Sequence, residues 1–157
     1  MEQKTPTACG SGEPPMKIRL VLLCQRRFGR LEIECPGGRK ITVENLCQRH
    51  INILLAMNDT FRKEASLPAP LRGWMTNEEI AEGYTQGNQR WAPPSVEAIR
   101  AYRSQINEKI RSATHDGMPP PAIFESRKGG SRLVVELEIV DISEQREGEA
   151  GRSKPAA

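Results

Sequence analysis

The chain has 157 residues, a hydrophobic content of 37%, a charged content of 27% and a formal net charge of +3. This length favours a single domain, and the composition is typical of a globular protein. Aromatic residues make up only 4%, which argues against a base-stacking surface for single-stranded nucleic acid. The four cysteines are irregularly spaced, and the sequence shows neither a secretory signal nor a membrane-length apolar run. We therefore expect a cytoplasmic protein with no membrane partner.

Three short strands are predicted before any helix. Their Ile, Leu and Val content places them at 17–24, 30–35 and 39–43, with a Pro-Gly-Gly turn between the last two. Consecutive short strands joined by tight turns pair antiparallel. The sequence therefore predicts a small antiparallel sheet at the beginning of the fold.

Three amphipathic helices are predicted next. From Asn45 to Phe61, apolar residues recur at helical spacing and give one buried face. After a proline-rich loop, Thr76 begins the second helix in a capping box with Glu79. Beyond a turn rich in Gly and Pro, Ser95 caps a third helix over 95–112. This helix is expected to bury one apolar stripe and to leave its polar residues exposed.

A hairpin and a long return strand complete the predicted fold. Segments 122–127 and 131–142 alternate apolar and polar residues about a tight turn of Lys128, Gly129 and Gly130. We expect the return strand to be continuous, with Leu133, Val135, Leu137 and Ile139 on one buried face.

Two polar segments flank this predicted domain. Residues 1–15 contain several Pro, Gly and Ser residues and little that can be buried, so we expect a flexible leader. Residues 143–157 are small and charged, and we expect a flexible tail. The folded domain is therefore predicted to span 16–142.

The order of these elements carries a resemblance. The stretch from Tyr102 to Ile110 resembles a basic recognition helix, and the hairpin around Gly129 and Gly130 resembles an Arg- and Gly-rich wing. With strands first, three helices next and a hairpin last, the chain resembles the OmpR/PhoB-type winged-helix DNA-binding domain of bacterial response regulators. The resemblance covers roughly 16–142, the effector domain alone, without a receiver domain.

This resemblance implies both a fold and a function. The implied fold is α+β, a winged helix-turn-helix with a small N-terminal antiparallel sheet, three helices and a C-terminal hairpin wing. The implied function is transcription regulation in a bacterium by sequence-specific binding of double-stranded DNA. The third helix (95–112) would enter the major groove, and the wing (123–134) would contact the adjacent backbone.

Polar and cationic side chains on the third helix and the hairpin are the candidate DNA contacts, since such groups bind base edges and phosphates. They are Arg100, Arg103, Ser104, Asn107, Arg111, Arg127, Lys128 and Arg132. The competing interpretation is a solvated helix face, and hairpin charges that prevent edge-to-edge aggregation. Arg103 lies nearer the apolar stripe and could instead cover the edge of the core with its methylene stem.

No pattern in the sequence indicates catalysis, a cofactor or a metal. Nucleophile and base pairs, paired acids and phosphate-binding glycine loops are all missing from the sequence, so we expect a protein that is not an enzyme. Cys47 and His50 have the spacing Cys-x-x-His, but without a second pair they are interpreted as packed core residues. Trp74 and Trp91 are expected to seal the second helix to the core.

Two functions remain open. The first is the duplex-DNA-binding regulator, and the alternative is a winged-helix protein-protein interaction module that uses the return strand, the Trp-bearing loops or the acidic tail. The sequence also leaves open whether two copies bind repeated half-sites as a homodimer. The target sequence, the effector input and the direction of regulation are likewise undetermined.

Overall fold

The structure is a computed structural model that describes residues 16–85 and 92–142. Its strands are β1 (Lys17–Leu23), β2 (Phe28–Glu34), β3 (Lys40–Cys47), β4 (Phe124–Arg127), β5 (Gly130–Leu133) and β6 (Leu137–Asp141). Its helices are α1 (Gln48–Lys63), α2 (Asn77–Tyr84) and α3 (Val96–Ala113), with a 3-10 turn at Ala69–Leu71. These residues form an α+β fold of three helices, a small mixed sheet and a two-stranded hairpin. The leader, the tail and Trp91 lie outside the described residues.

Four strands form the main sheet, in the order β3-β2-β1-β6. The first three strands pair antiparallel, as predicted. β6 joins the same sheet parallel to β1, however, so the expectation of a purely antiparallel N-terminal sheet is wrong. A parallel pair requires a long crossover connection, and here all three helices lie in the chain between β1 and β6.

The prediction of one continuous return strand over 131–142 is also wrong. The chain bends at Val134 and Val135, which separates β5 from β6. β5 pairs with β4 in the hairpin, whereas β6 pairs with β1 in the main sheet. Leu133 and Leu137 on either side of the bend are both buried. Because the alternation of apolar residues survives the bend, alternation alone could not reveal it.

The helices begin at residues that cap them. β3 extends through the buried Leu46, so α1 begins at Gln48 and not at Asn45 as predicted. At α2, the Thr76 hydroxyl accepts the Glu79 N–H at 3.1 Å, and the Glu79 carboxylate accepts the Thr76 N–H at 2.8 Å. Both the capping box and the cap at the start of α3 are confirmed. Within the described ranges, no helix combines the length and apolar character needed to cross a membrane.

The core lies between one face of the main sheet and the three helices. Leu20 and Leu31 from the sheet, Leu54 from α1 and Ile80 from α2 are fully buried. α3 contributes the predicted apolar stripe, in which Ile99, Ile106 and Ile110 are buried. Burying this stripe fixes the opposite face of α3 as an exposed surface.

A buried asparagine joins α1 to β6. Asn58 is 3% exposed, and its side-chain oxygen accepts the Leu137 N–H at 2.7 Å. Its amide nitrogen donates to the Leu137 carbonyl at 3.4 Å. Since a buried amide without a partner costs about 1–3 kcal/mol, Asn58 stabilises the point where the chain returns to the main sheet.

Substitution of this asparagine should destabilise the fold. Asn58→Ala removes both hydrogen bonds to the Leu137 backbone, so we expect the free energy of unfolding in urea to fall by about 2 kcal/mol. Asn107→Ala on the exposed face of α3 is the control and should change this free energy by less than about 0.5 kcal/mol. Equal losses in the two variants would contradict the proposed role of Asn58.

Candidate nucleic-acid interface

An exposed stripe runs along α3 and contains half of the predicted contact residues. Spacings of four, three and four residues place them on one face of the helix, and all are exposed. They are Arg100, Ser104, Asn107 and Arg111. Arg111 forms an ion pair with Glu108 one turn earlier, whereas no carboxylate of the described residues lies within 4.0 Å of the Arg100 guanidinium.

Arg103 lies beside this stripe and is partly buried. Its guanidinium donates to the side-chain oxygen of Asn77 at 2.8 Å. Burial lowers the pKa of Arg103 below its ordinary value, and repulsion from the Arg100 charge lowers it further. Because Asn77 is the first residue of α2, the hydrogen bond fixes the two helices relative to each other.

On the hairpin, Arg127 packs on an aromatic ring. Its guanidinium carbon lies 4.0 Å from the centre of the Trp74 ring, within the range of a cation–π interaction. The Trp74 indole N–H donates to the Pro70 carbonyl at 2.8 Å. Trp74 was expected in the core, but it is partly exposed and supports the hairpin. Lys128, next to Arg127 in the turn, is exposed.

Arg132 points into the molecule instead of toward the hairpin tip, and its side chain is 14% exposed. Two of its nitrogens donate to Glu125, at 2.8 and 3.0 Å. A third donates to the Arg72 carbonyl at 3.1 Å and to the Ala69 carbonyl. Its guanidinium also lies 4.9 Å from the centre of the Trp74 ring. Arg132 therefore connects the hairpin to the loop before α2.

The backbone makes the same connection. Met75 and Ser131 exchange two N–H···O=C hydrogen bonds of 2.9 Å, so the segment before α2 pairs with β5. A side-chain carbon at Gly130 would lie 3.1 Å from the Met75 carbonyl oxygen. Gly129 has a φ of +86°, a conformation that favours glycine. The turn thus needs one glycine for its conformation and the next for close backbone approach.

These elements enclose a groove of about 420 Å³, lined by the start of α2, the first half of α3 and the hairpin. Arg100, Arg103 and Arg127 all line it. No described carboxylate lies within 4.0 Å of any of these three guanidiniums. Glu78 is the acidic side chain in the lining, so the groove carries an excess of positive charge.

The structure therefore separates the predicted contact residues into groups. Three arginines from two elements meet at the groove, and Ser104 and Asn107 continue the exposed stripe beyond it. The sequence analysis missed the Ser126 and Ser131 hydroxyls, which also line the groove and lie 3.3 Å apart. They are cross-strand partners in the hairpin. The predicted turn of Lys128, Gly129 and Gly130 is one residue too long, and counting outward from it would have paired Ser126 with Arg132 instead.

Cys47 and His50 form a helix cap. The Cys47 N–H donates to the His50 Nδ1 at 3.4 Å, and the Cys47 sulfur lies 3.4 Å from the same nitrogen. The His50 Nε2 lies 2.8 Å from the side-chain oxygen of Gln105 on α3. Since Nδ1 accepts, Nε2 carries the proton and donates. The described residues contain no group of three His, Cys, Asp or Glu side chains able to hold a metal ion.

Comparison with known proteins adds no relative. The chain matches no protein-family model, no curated protein and no solved structure. Its function must therefore be inferred from its own residues and their geometry.

Loss of the Arg132 contacts should destabilise the hairpin attachment. Arg132→Gln removes hydrogen bonds from a guanidinium to a carboxylate and to two carbonyls, so we expect the free energy of unfolding in urea to fall by about 2 kcal/mol. Arg127→Gln is the control, because Arg127 also packs on Trp74 but is exposed. It should lower the free energy of unfolding by about 1 kcal/mol or less. An Arg132→Gln protein as stable as the unsubstituted chain would show that these contacts contribute nothing.

The buried His50 should make stability depend on pH. Burial lowers the pKa of His50, and the charges of Lys109 and Arg49 lower it further, although Gln105 raises it in part. Below about pH 6.5 the unfolded chain therefore binds a proton that the folded chain does not, and stability falls as the pH falls. Denaturation at pH 8 and pH 5.5 should show this loss, and His50→Gln should remove it.

His115 supplies a matched control, since the chain has only two histidines and His115 is exposed. His115→Gln should retain the loss of stability at low pH that the buried His50 causes. A direct NMR titration of the His50 ring should give a pKa below 6.5. A pKa at or above this value, or an unchanged pH dependence in His50→Gln, would overturn the assignment.

Proposed function

We propose that the chain is a winged-helix protein that binds double-stranded DNA. In this proposal α3 enters the major groove, and the hairpin of β4 and β5 contacts the adjacent backbone as the wing. The observation that carries the proposal is that the exposed face of α3 and the basic side of the hairpin share one groove. A role as a bacterial transcription regulator rests on the resemblance to OmpR/PhoB-type domains.

The dimensions and side chains of α3 support its role. The helix has 18 residues, which gives a length of about 27 Å at the usual rise per residue. The major groove of B-form DNA is wide enough to admit an α-helix. Arginine and asparagine side chains form paired hydrogen bonds to guanine and adenine, respectively. Arg100 and Asn107 supply these groups on the exposed stripe, with the smaller Ser104 between them.

The cations of this surface have different roles in the proposal. Arg100, Arg127 and Lys128 contact DNA directly, because their charges face solvent. Arg132 instead positions the hairpin, since its three nitrogens all donate within the protein. Arg103 positions α3 through its hydrogen bond to Asn77. Arg111 can exchange its exposed partner Glu108 for a phosphate at low cost, because exposed ion pairs contribute at most about 1 kcal/mol.

The distribution of ion pairs supports this choice of surface. On the main sheet, Arg19, Arg30 and Lys40 each lie within 4.0 Å of a glutamate. These three cations of the sheet are thereby balanced locally, although Lys17 has no carboxylate partner among the described residues. Arg100 and Arg127 have no such partner among the described carboxylates and line the same groove, so together they attract an anion there.

The alternative function is a winged-helix module that binds another protein. The observation in its favour is the exposure of Leu67 (41%) and Leu71 (57%) beside the 3-10 turn. Isolated exposed apolar residues are common on monomeric proteins, however. The ion-pair distribution therefore favours DNA over this alternative.

Duplex binding and its salt dependence test the proposal. Fluorescence anisotropy with a pool of random duplexes should detect binding at 50 mM salt, and the affinity should fall steeply by 200 mM as counterions compete. Arg127→Gln should weaken binding to every sequence and reduce the slope of log affinity against log salt by about 1.

Lys40→Gln is the control, because it removes the same charge from the main sheet, where Lys40 is exposed and paired with Glu34. We expect it to leave both affinity and slope nearly unchanged. Lack of binding to any duplex at 50 mM salt would refute the proposal and leave the protein-binding alternative. Equal effects of the two substitutions would mean that net charge, and not the wing, drives binding.

A further inference from the structure

The groove between α3 and the hairpin brings together cations from separate parts of the chain. Arg100 and Arg103 come from α3, and Arg127 comes from β4. The lining includes a single acidic residue, Glu78, whose carboxylate is more than 4.0 Å from each of the three guanidiniums. The three guanidiniums therefore lie in one groove without a carboxylate close enough to neutralise their charges.

Two of these cations repel each other. Repulsion by Arg100 contributes to the lowered pKa of Arg103, after the larger effect of burial. The hydrogen bond to Asn77 holds the Arg103 guanidinium in place, so Arg103 cannot swing away to relieve the repulsion. An anion placed between the two guanidiniums would stabilise both charges.

The rest of the lining also suits an oxyanion. Ser126 is exposed and presents a hydroxyl group that can donate to a ligand oxygen while it accepts the hydrogen bond of the buried Ser131 hydroxyl, 3.3 Å away. Gly129 and Gly130 have no side chain to obstruct the approach of a ligand to the hairpin backbone. Arg127 is held at the edge of the groove by its packing on Trp74, so little side-chain freedom is lost when a ligand binds.

We propose that this groove binds one phosphate group. Arg100 and Arg127 contact its oxygens from opposite elements, Arg103 adds charge from its fixed position, and the Ser126 hydroxyl completes the hydrogen bonding. Guanidinium groups suit this ligand because their planar N–H donors match the spacing of phosphate oxygens. The source of the phosphate, a backbone phosphodiester of duplex DNA, rests on the function proposed above.

A phosphate at this position would also have a mechanical effect. By contacting Arg100 on α3 and Arg127 on the hairpin at once, it would fix the angle between these two elements. The same contact would set how far α3 enters the adjacent major groove, since phosphate contacts determine the position of a protein on a duplex. The phosphate contact would thus determine which bases the exposed stripe of α3 faces.

An NMR titration with inorganic phosphate tests the site directly in the full chain. Chloride replaces phosphate at constant ionic strength and pH in the reference titration. We expect saturable shifts of the Arg100 and Arg127 side-chain N–H signals and of the Gly129 and Gly130 amides. Arg100→Gln and Arg127→Gln should each weaken phosphate binding at least about tenfold, the effect of losing one charge-assisted hydrogen bond.

Matched controls come from outside the proposed interface. Lys109→Gln removes a cation of α3 that does not line the groove, and Lys40→Gln removes an exposed cation of the main sheet. Each should change phosphate affinity by less than about twofold. Unsaturable shifts, or equal weakening by all four substitutions, would overturn the proposed site, because both results describe a diffuse ionic atmosphere.

A competition experiment identifies the source of the phosphate. Addition of a 20-base-pair duplex to the phosphate-loaded protein should displace the inorganic phosphate, so that its phosphorus NMR signal returns to the position of free phosphate. Duplex binding that leaves the inorganic phosphate bound would overturn the site as part of a DNA interface while the proposed function stands. Saturable phosphate binding without any duplex binding would support the groove and refute the proposed function.

Discussion

The hairpin is attached to the segment before α2 by the Met75–Ser131 backbone pair and by Arg132, and the candidate interface depends on this attachment. An isolated two-stranded hairpin is only marginally stable in water. Here the exchanged hydrogen bonds of 2.9 Å add a third stretch of backbone to the hairpin, and Arg132 donates to the carbonyls of Ala69 and Arg72. Packing of Arg127 on Trp74 then places its charge beside α3. Without this attachment the three arginines of the groove would not meet.

The orientation of α3 has a similar physical basis. Its apolar stripe of Ile99, Ile106 and Ile110 determines which face is buried, but apolar packing is not directional. Two polar contacts supply direction: Arg103 donates to Asn77 at 2.8 Å, and Gln105 accepts from His50 at 2.8 Å. They connect α3 to α2 and to α1 respectively, and thereby limit rotation and sliding of the helix. The exposed stripe is consequently presented at a fixed angle to the hairpin.

Features with local causes could be predicted from the sequence, and features with distant causes could not. The capping box of Thr76 and Glu79 depends on residues three apart, so its position was predicted correctly. The parallel pairing of β6 with β1 joins residues such as Leu20 and Ile139, which no local pattern relates. In the candidate site, Glu125 and Arg132 are cross-strand partners, but the predicted turn of Lys128, Gly129 and Gly130 is one residue too long and would have paired Glu125 with Leu133. The packing of Arg127 on Trp74 across the loop before α2 had no signal in the sequence.

The modest net charge of +3 becomes informative when the ion pairs are considered. On the main sheet, Arg19 lies between Glu32 and Glu138 and Lys40 lies beside Glu34, so these charges largely cancel. A protein with a weak overall field gains little long-range attraction to DNA. In the proposed DNA binding, affinity would then come from a few contacts at one place, where cations are held without carboxylate partners. Concentrating unpaired charge in this way would limit the number of phosphates that the protein neutralises, and it would increase the dependence of binding on the geometry that the hairpin attachment maintains.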